Sequence, residues 1–420
     1  MGQSRGGHRR QSGVSHARAP GRAQLRRAAA SIAVVGAIVA SLTTACTQTA
    51  GAPTRQAADL TGVSVTETGP GSVVRATSVP GIDSAIRDTG ARVAHVIYRS
   101  TSGIDGSGTE VSGTVVGPAE APPAGGWPIM VLAHGTTGID EGCAPSRTPD
   151  LAGLAGVVVS YLKMGFVVSV PDYQGLGAPG VHPYLDSATA GYNVIDAVRA
   201  ARIVFPDAGP RWAAFGGSQG GAATWAANEL AAERGAGRNL LGTVSLVPAA
   251  DFSGLVDLAA RRRLGADQLA AYTWLLIGAQ RSRPGFDIDL YRRGMAARNW
   301  DVLSACAGPE GSRRNRVVAR IPAADLVPAT PAAAARLKEI FSGMGVAHRR
   351  ASAPMLIYYA GKDEFFDPEW TRAAITRSCR LGSVIESVYQ PDATHGSIDG
   401  STYVDWLGRR MAGNRVDNDC

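Results

Sequence analysis

The stretch Trp212-Ala213-Ala214-Phe215-Gly216-Gly217-Ser218-Gln219-Gly220-Gly221-Ala222 decides how the rest of the chain is read. Its first four residues are a short apolar run of the kind a strand buried on both faces carries. Gly216 to Gly220 spells G-x-S-x-G, and Ala222 to Arg234 has helical composition. In a chain with 52 glycines the five-residue string is weak by itself. Its setting between strand and helix gives it meaning. Small residues at 216, 220 and 221 let the chain turn sharply and leave the Ser218 hydroxyl exposed at a helix N-terminus. The plain alternative is a glycine-rich strand-to-helix loop without chemistry.

Outward from this point the same alternation repeats. Pro128 to Ala133 (PIMVLA), Val167 to Val170, Val244 to Val247 and Met355 to Ala360 (MLIYYA) are further apolar runs, and Gly153 to Met164 and Gly191 to Val204 read as helices. Alternating strand and helix predict an α/β fold, a mostly parallel sheet with helices on both faces, and the nucleophile-elbow pattern around Ser218 makes the α/β-hydrolase fold the expected one. Arg92 to Ser100 and Val111 to Val116 are earlier strand candidates, and Ala119 to Gly126 is a turn rich in Pro and Gly. From residue 252 to 350 the alternation stops, and Ala, Arg and Leu dominate in runs such as Ala332 to Phe341, which predicts an inserted helical cap. The expected organisation is a leader at 1–45, a linker at 46–75, a core in two parts at 76–251 and 351–420, and the cap between them. No internal repeat is evident.

A serine hydroxyl needs a base within hydrogen-bond reach and a carboxylate to orient that base. In this fold the acid follows a late core strand and the histidine follows the next one. Gly361-Lys362-Asp363-Glu364 comes after the strand at 355–360, and Asp392-Ala393-Thr394-His395-Gly396 comes after a strand predicted at 384–389. The expected triad is therefore Ser218, Asp363 and His395, with Asp367 and Glu364 as rivals for the acid. His95, His134, His182 and His348 fall in an early strand, another motif, and loop or cap. An oxyanion needs at least two donors. The backbone N–H of Gln219, next after the nucleophile, is one, and the loop His134-Gly135-Thr136-Thr137-Gly138 offers Thr136 or Thr137 for the other.

Charge narrows the partners. The formal net charge is +7, but residues 1–45 hold seven Arg and no acid, so the chain from Cys46 onward balances 35 basic against 35 acidic residues. Balanced charge leaves no basic stripe for phosphates, which disfavours nucleic acid and favours an uncharged substrate. Arg26-Arg27, the small and apolar run Ala28 to Leu42, and Thr43-Thr44-Ala45-Cys46 read as an export leader. Three outcomes stay open: lipidation at Cys46 with membrane attachment, plain cleavage and secretion, or an uncleaved anchor of about 18 uncharged residues. Cys143, Cys306, Cys379 and Cys420 are an even set in an exported chain and predict two disulfides. Their spacing fits no zinc pattern, no His-Glu-x-x-His occurs, and no phosphate-cradling G-x-x-x-x-G-K is present, so no metal or other cofactor is expected. The sequence says nothing of oligomeric state.

His134-Gly135-Thr136-Thr137-Gly138, Cys143-Ala144-Pro145-Ser146, Pro171-Asp172-Tyr173-Gln174-Gly175, Asp196 to Arg202, the Ser218 elbow and the Asp363 and His395 loops, in that order, resemble the secretory lipases of the Candida antarctica lipase A type over roughly 75 to 410. The resemblance implies a serine triacylglycerol lipase or carboxylesterase, with the cap at 252–350 serving as a lid over the acyl pocket. It also implies pairing of Cys143 with Cys306 and of Cys379 with Cys420. Two departures bear on chain-length preference: Gly217 stands where relatives often carry Tyr or His, and the cap is poor in aromatics. The same triad could instead transfer acyl groups to another alcohol or cleave a peptide, and a different class is a lipidated envelope protein that binds lipid without turnover.

Overall fold

The computed structural model describes residues 63–308 and 311–420, all within the unit Arg55–Cys420. The leader and Cys46 lie outside the described residues. Among the described residues nine strands pair in the order β1-β2-β3-β5-β4-β6-β7-β8-β9. They are β1 (Val73–Ser78), β2 (Arg92–Thr101), β3 (Gly108–Gly117), β4 (Trp127–Ala133), β5 (Val167–Pro171), β6 (Ala208–Gly217), β7 (Leu240–Leu246), β8 (Met355–Ala360) and β9 (Ile385–Gln390). From β5 across to β9 every neighbour is parallel, while β1, β2 and β3 run antiparallel at one edge. All residues of β4 and of β5 are buried, as apolar runs covered on both faces should be. β1 starts at Val73, inside the stretch expected to be linker.

Among the described residues twelve α-helices accompany the sheet: α1 (Ser84–Arg87), α2 (Ala155–Lys163), α3 (Ser187–Val204), α4 (Gln219–Leu230), α5 (Gly254–Ala260), α6 (Ala266–Ser282), α7 (Gly294–Arg298), α8 (Trp300–Leu303), α9 (Ser312–Val318), α10 (Pro331–Met344), α11 (Pro368–Arg380) and α12 (Tyr403–Met411). The α/β-hydrolase fold follows from where they pack. On one face Val194 and Val198 of α3 and Ala223 and Ala227 of α4 meet Ile129, Val131 and Trp212 of the sheet. On the other, Val158 and Leu162 of α2 and Trp406 of α12 meet Met130, Leu132 and Val168. Local chemistry sets the helix starts. Asp186 caps α3 by accepting from Thr189 N at 3.0 Å, and Asp367, ahead of Pro368, caps α11 by accepting from Glu369 N at 2.9 Å.

Between β7 and β8 the chain leaves the sheet for α5 to α10, whose apolar core around Tyr272, Leu275, Leu337 and Phe341 is continuous with Trp225 of α4, Met355 and Ile357 of β8 and Ile375 of α11. The Cys143–Cys306 disulfide ties the loop after β4 to this insertion, and Cys379–Cys420 ties α11 to the tail. Ion pairs of Arg281 with Asp140 and of Arg283 with Asp186 add two further ties from the end of α6.

Candidate active site

Ser218 sits between β6 and α4 with φ +56° and ψ −117°, a strained backbone that L residues rarely adopt. Three backbone bonds hold it there: Ser218 N donates to Leu246 O at 2.9 Å, and Ser218 O accepts from Ala222 N and Ala249 N, each at 3.1 Å. The turn is tight enough that a Cβ on Gly220 would collide with the Ala133 carbonyl. Gly217 differs, since a Cβ there would have nothing nearer than Leu246 O at 3.8 Å.

Asp363 and His395 meet. His395 Nδ1 lies 2.8 Å from Asp363 Oδ2, while Asp363 Oδ1 accepts from Phe365 N at 2.9 Å and Phe366 N at 3.0 Å. A carboxylate so held makes Nδ1 the protonated ring atom and leaves Nε2 free to act as a base. The rings of Phe365 and Phe366 flank the imidazole at 4.8 and 5.8 Å. Glu364 Oε2 accepts instead from the backbone N of His395, at 3.1 Å, and Asp367 is occupied as the α11 cap. Ser218 and His395 border one cavity of 330 Å³ without a hydrogen bond between them. Such contacts often tighten only when substrate binds.

On the oxyanion side, Gln219 is the first residue of α4, so its backbone N–H lies outside the helix's own ladder. The Thr136 hydroxyl bonds Tyr184 OH at 2.9 Å. Thr137 has its carbonyl bonded by Ala307 N at 2.7 Å, and its buried hydroxyl has no partner. Sequence reasoning passed over His182. Its ring is buried between Gln174 O, 2.8 Å from Nδ1, and Gln219 Nε2, 3.2 Å from its own Nε2, and burial pushes its pKa down to about 4. It is therefore neutral, with Nδ1 donating and Nε2 accepting.

The cavity beside Ser218 also departs from expectation. Leu154 and Val157 at the start of α2, Phe215, Leu246 and Ile398 line it, and no residue of the 252–350 insertion does. The insertion packs around Tyr184 and Leu185 instead, on the side of the elbow where His182 stands. Among the described residues no cluster of three or more His, Cys, Asp or Glu could hold a metal ion, and no helix is long and apolar enough to cross a membrane.

Comparison with known proteins adds to this geometry. Residues 153–300 match the family model of the secretory lipases. The resemblance to the secretory lipases is thereby shown. The matching secretory-lipase segment runs from the turn before α2 into α8 and contains Ser218 and Gln219, while Thr136, Asp363 and His395 lie outside it. No curated protein matches the sequence. Among solved structures, Candida antarctica lipase A in its closed state is similar with a TM-score of 0.66 at 17% identity, covering 84% of this chain and 84% of its own. A hydrolase of Legionella pneumophila described as putative gives 0.64 at 17%, covering 81% of this chain and 96% of its own. The rice cell wall degrading esterase LipA of Xanthomonas oryzae gives 0.61 at 18%, covering 82% and 97%. At these identities the shared property is the fold.

Proposed function

We propose that the chain is an exported serine ester hydrolase acting on fatty-acyl esters. The observation that carries this reading is the Asp363–His395 pair, 2.8 Å apart, facing the strained Ser218 elbow across one apolar cavity. Match to the secretory lipase model and the lipase and esterase fold of the neighbours support it. In the proposed cycle His395 Nε2 takes the Ser218 proton as the hydroxyl attacks the ester carbonyl, and the oxyanion is held by the Gln219 N–H and a donor at Thr136 or Thr137. The same proton goes to the departing alcohol. Water, deprotonated by His395, then attacks the acyl-enzyme and releases the acid, while Asp363 fixes the tautomer and stabilises the imidazolium. Two disulfides fit an oxidising compartment, and Cys46 is the proposed lipid attachment point or the first residue after cleavage.

Hydrolysis of p-nitrophenyl esters from acetate to palmitate by wild type, beside Ser218→Ala, tests the reading. Turnover that the variant abolishes supports it. If neither protein reacts on any chain, hydrolysis fails and acyl transfer or lipid carriage takes its place. Mass spectrometry of the native N-terminus decides lipidation, since a diacylated Cys46 carries a large added mass.

A further inference from the structure

The cleft that joins Ser218 and His395 has a composition of its own. Leu154 and Val157, three residues apart on one face of the start of α2, stand along it, Phe215 and Leu246 from two adjacent strands line it, and Ile398 closes it from the loop after His395. All five are half-buried, an apolar surface that no described part of the chain covers. Besides Ser218 and His395, the one polar side chain bordering the cleft is His134, whose buried ring turns its nitrogens to two backbone carbonyls, Gly135 O and Asp172 O, and as a neutral imidazole donates to one of them. Nothing in it would recognise a charge or a sugar hydroxyl. At 330 Å³ it lies at the low end of ligand pockets, room for one unbranched chain rather than a whole glyceride. Gly217 borders it too, and a Cβ there would stand in ordinary contact with Leu246 O at 3.8 Å without a clash, so that a larger side chain at this position narrows the cleft beside the nucleophile.

We propose that this cleft, outside the helical insertion, holds one unbranched aliphatic arm of the ester, and that Gly217, Val157 and Ile398 set the length it accepts. The proposal rests on the ester-hydrolase reading and names the place of the substrate within it. Filling the cleft discriminates against long arms, because a buried methylene forfeits its transfer free energy when the space is taken.

The test is kcat/KM for p-nitrophenyl octanoate against p-nitrophenyl acetate, and for octyl acetate against ethyl acetate, in wild type, Gly217→Leu and Val157→Phe. At least a tenfold fall in the octanoate-to-acetate ratio places the acyl arm in the cleft, and the same fall in the octyl-to-ethyl ratio places the alcohol arm there. Both ratios unchanged in both variants would overturn the proposal. Calorimetric binding of 1-octanol to Ser218→Ala, with and without Val157→Phe, provides a readout independent of turnover. At least tenfold weaker binding in the double variant is expected, and equal binding sinks the proposal. Should wild type hydrolyse no ester, the hydrolase reading fails by itself and the octanol result still decides the cleft.

Discussion

His182 Nε2 accepts a hydrogen bond from the Gln219 side-chain amide at 3.2 Å, while its Nδ1 donates to Gln174 O at 2.8 Å. A buried ring thus holds the side chain of the residue that follows the nucleophile, and through it the direction of the Gln219 backbone N–H. Removing the acceptor should let that donor drift rather than abolish it. His182→Leu is expected to lower kcat by about tenfold, less than loss of a whole oxyanion donor, with little change in KM. His182→Gln, which restores an acceptor, should recover part of the loss. Steady-state kinetics on p-nitrophenyl acetate check both.

Two buried groups give stability opposite pH dependences. The lowered pKa of His182, caused by burial, means the unfolded chain binds a proton below about 6.5 that the native ring refuses until about 4. Its contribution is complete above that range and is lost as pH falls through it, by about 3 kcal/mol in all. Glu229 is the reverse. Burial raises its pKa to about 7, although its carboxylate accepts from Ala347 N at 2.8 Å and His348 N at 3.3 Å. Its contribution is full below about 4.5 and is lost as pH rises towards 7, again by about 3 kcal/mol. Glu229→Gln, which cannot ionise, should therefore gain on wild type as pH rises from 5 to 8, its urea midpoint moving up relative to that of wild type measured at the same pH.

The elbow was legible because strand, turn and helix are contiguous and each leaves a pattern of its own: an apolar run, small residues, then Ala222 to Leu230. The places of Asp363 and His395 were legible from order along the chain, Asp363 in the turn after the apolar run of β8 and His395 in the loop after β9, whose Ile385–Gln390 is half polar. His182 was not. Its partners lie 8 residues before it and 37 residues after it, so no local spacing marks the contact. The cleft likewise draws on α2, two strand ends and the loop after His395, residues that sequence pattern records only as separate apolar positions. β1 hid because Val73–Ser78 mixes Arg and Thr into a strand with just one fully buried residue.

The two disulfides should differ in worth. Cys143–Cys306 closes a sequence separation of 163 and Cys379–Cys420 one of 41. Loop-closure entropy gives about 5 kcal/mol for the first and about 4 for the second, before any native-state strain. The paired substitution Cys143→Ala with Cys306→Ala should lower the melting temperature more than Cys379→Ala with Cys420→Ala, and it also frees the insertion from the loop carrying Thr136 and Thr137. Differential scanning calorimetry in non-reducing buffer checks the ranking.

Gly220→Ala should fail to fold or lose more than about 3 kcal/mol, since its Cβ meets backbone on the neighbouring strand, where nothing can give way cheaply. Gly217→Ala, whose Cβ would meet Leu246 O only at an ordinary contact distance of 3.8 Å, should stay within about 1 kcal/mol of wild type by urea denaturation.

Asp363, Glu364 and Asp367 lie within five residues, and their geometry predicts three different phenotypes. Asp363 alone accepts from a ring nitrogen of His395, so Asp363→Asn should leave the imidazole in the wrong tautomer and lower kcat by about 10³ to 10⁴-fold in a folded protein. Glu364 accepts only from the His395 backbone, and Glu364→Gln retains an oxygen acceptor there, so its effect on kcat should be below about tenfold. Asp367 caps α11, and Asp367→Ala should lower stability by about 1 kcal/mol with a kcat close to wild type. Measuring kcat and the urea midpoint on the same three preparations separates the roles. A larger kcat loss from Asp367→Ala than from Asp363→Asn would remove Asp363 from the proposed triad.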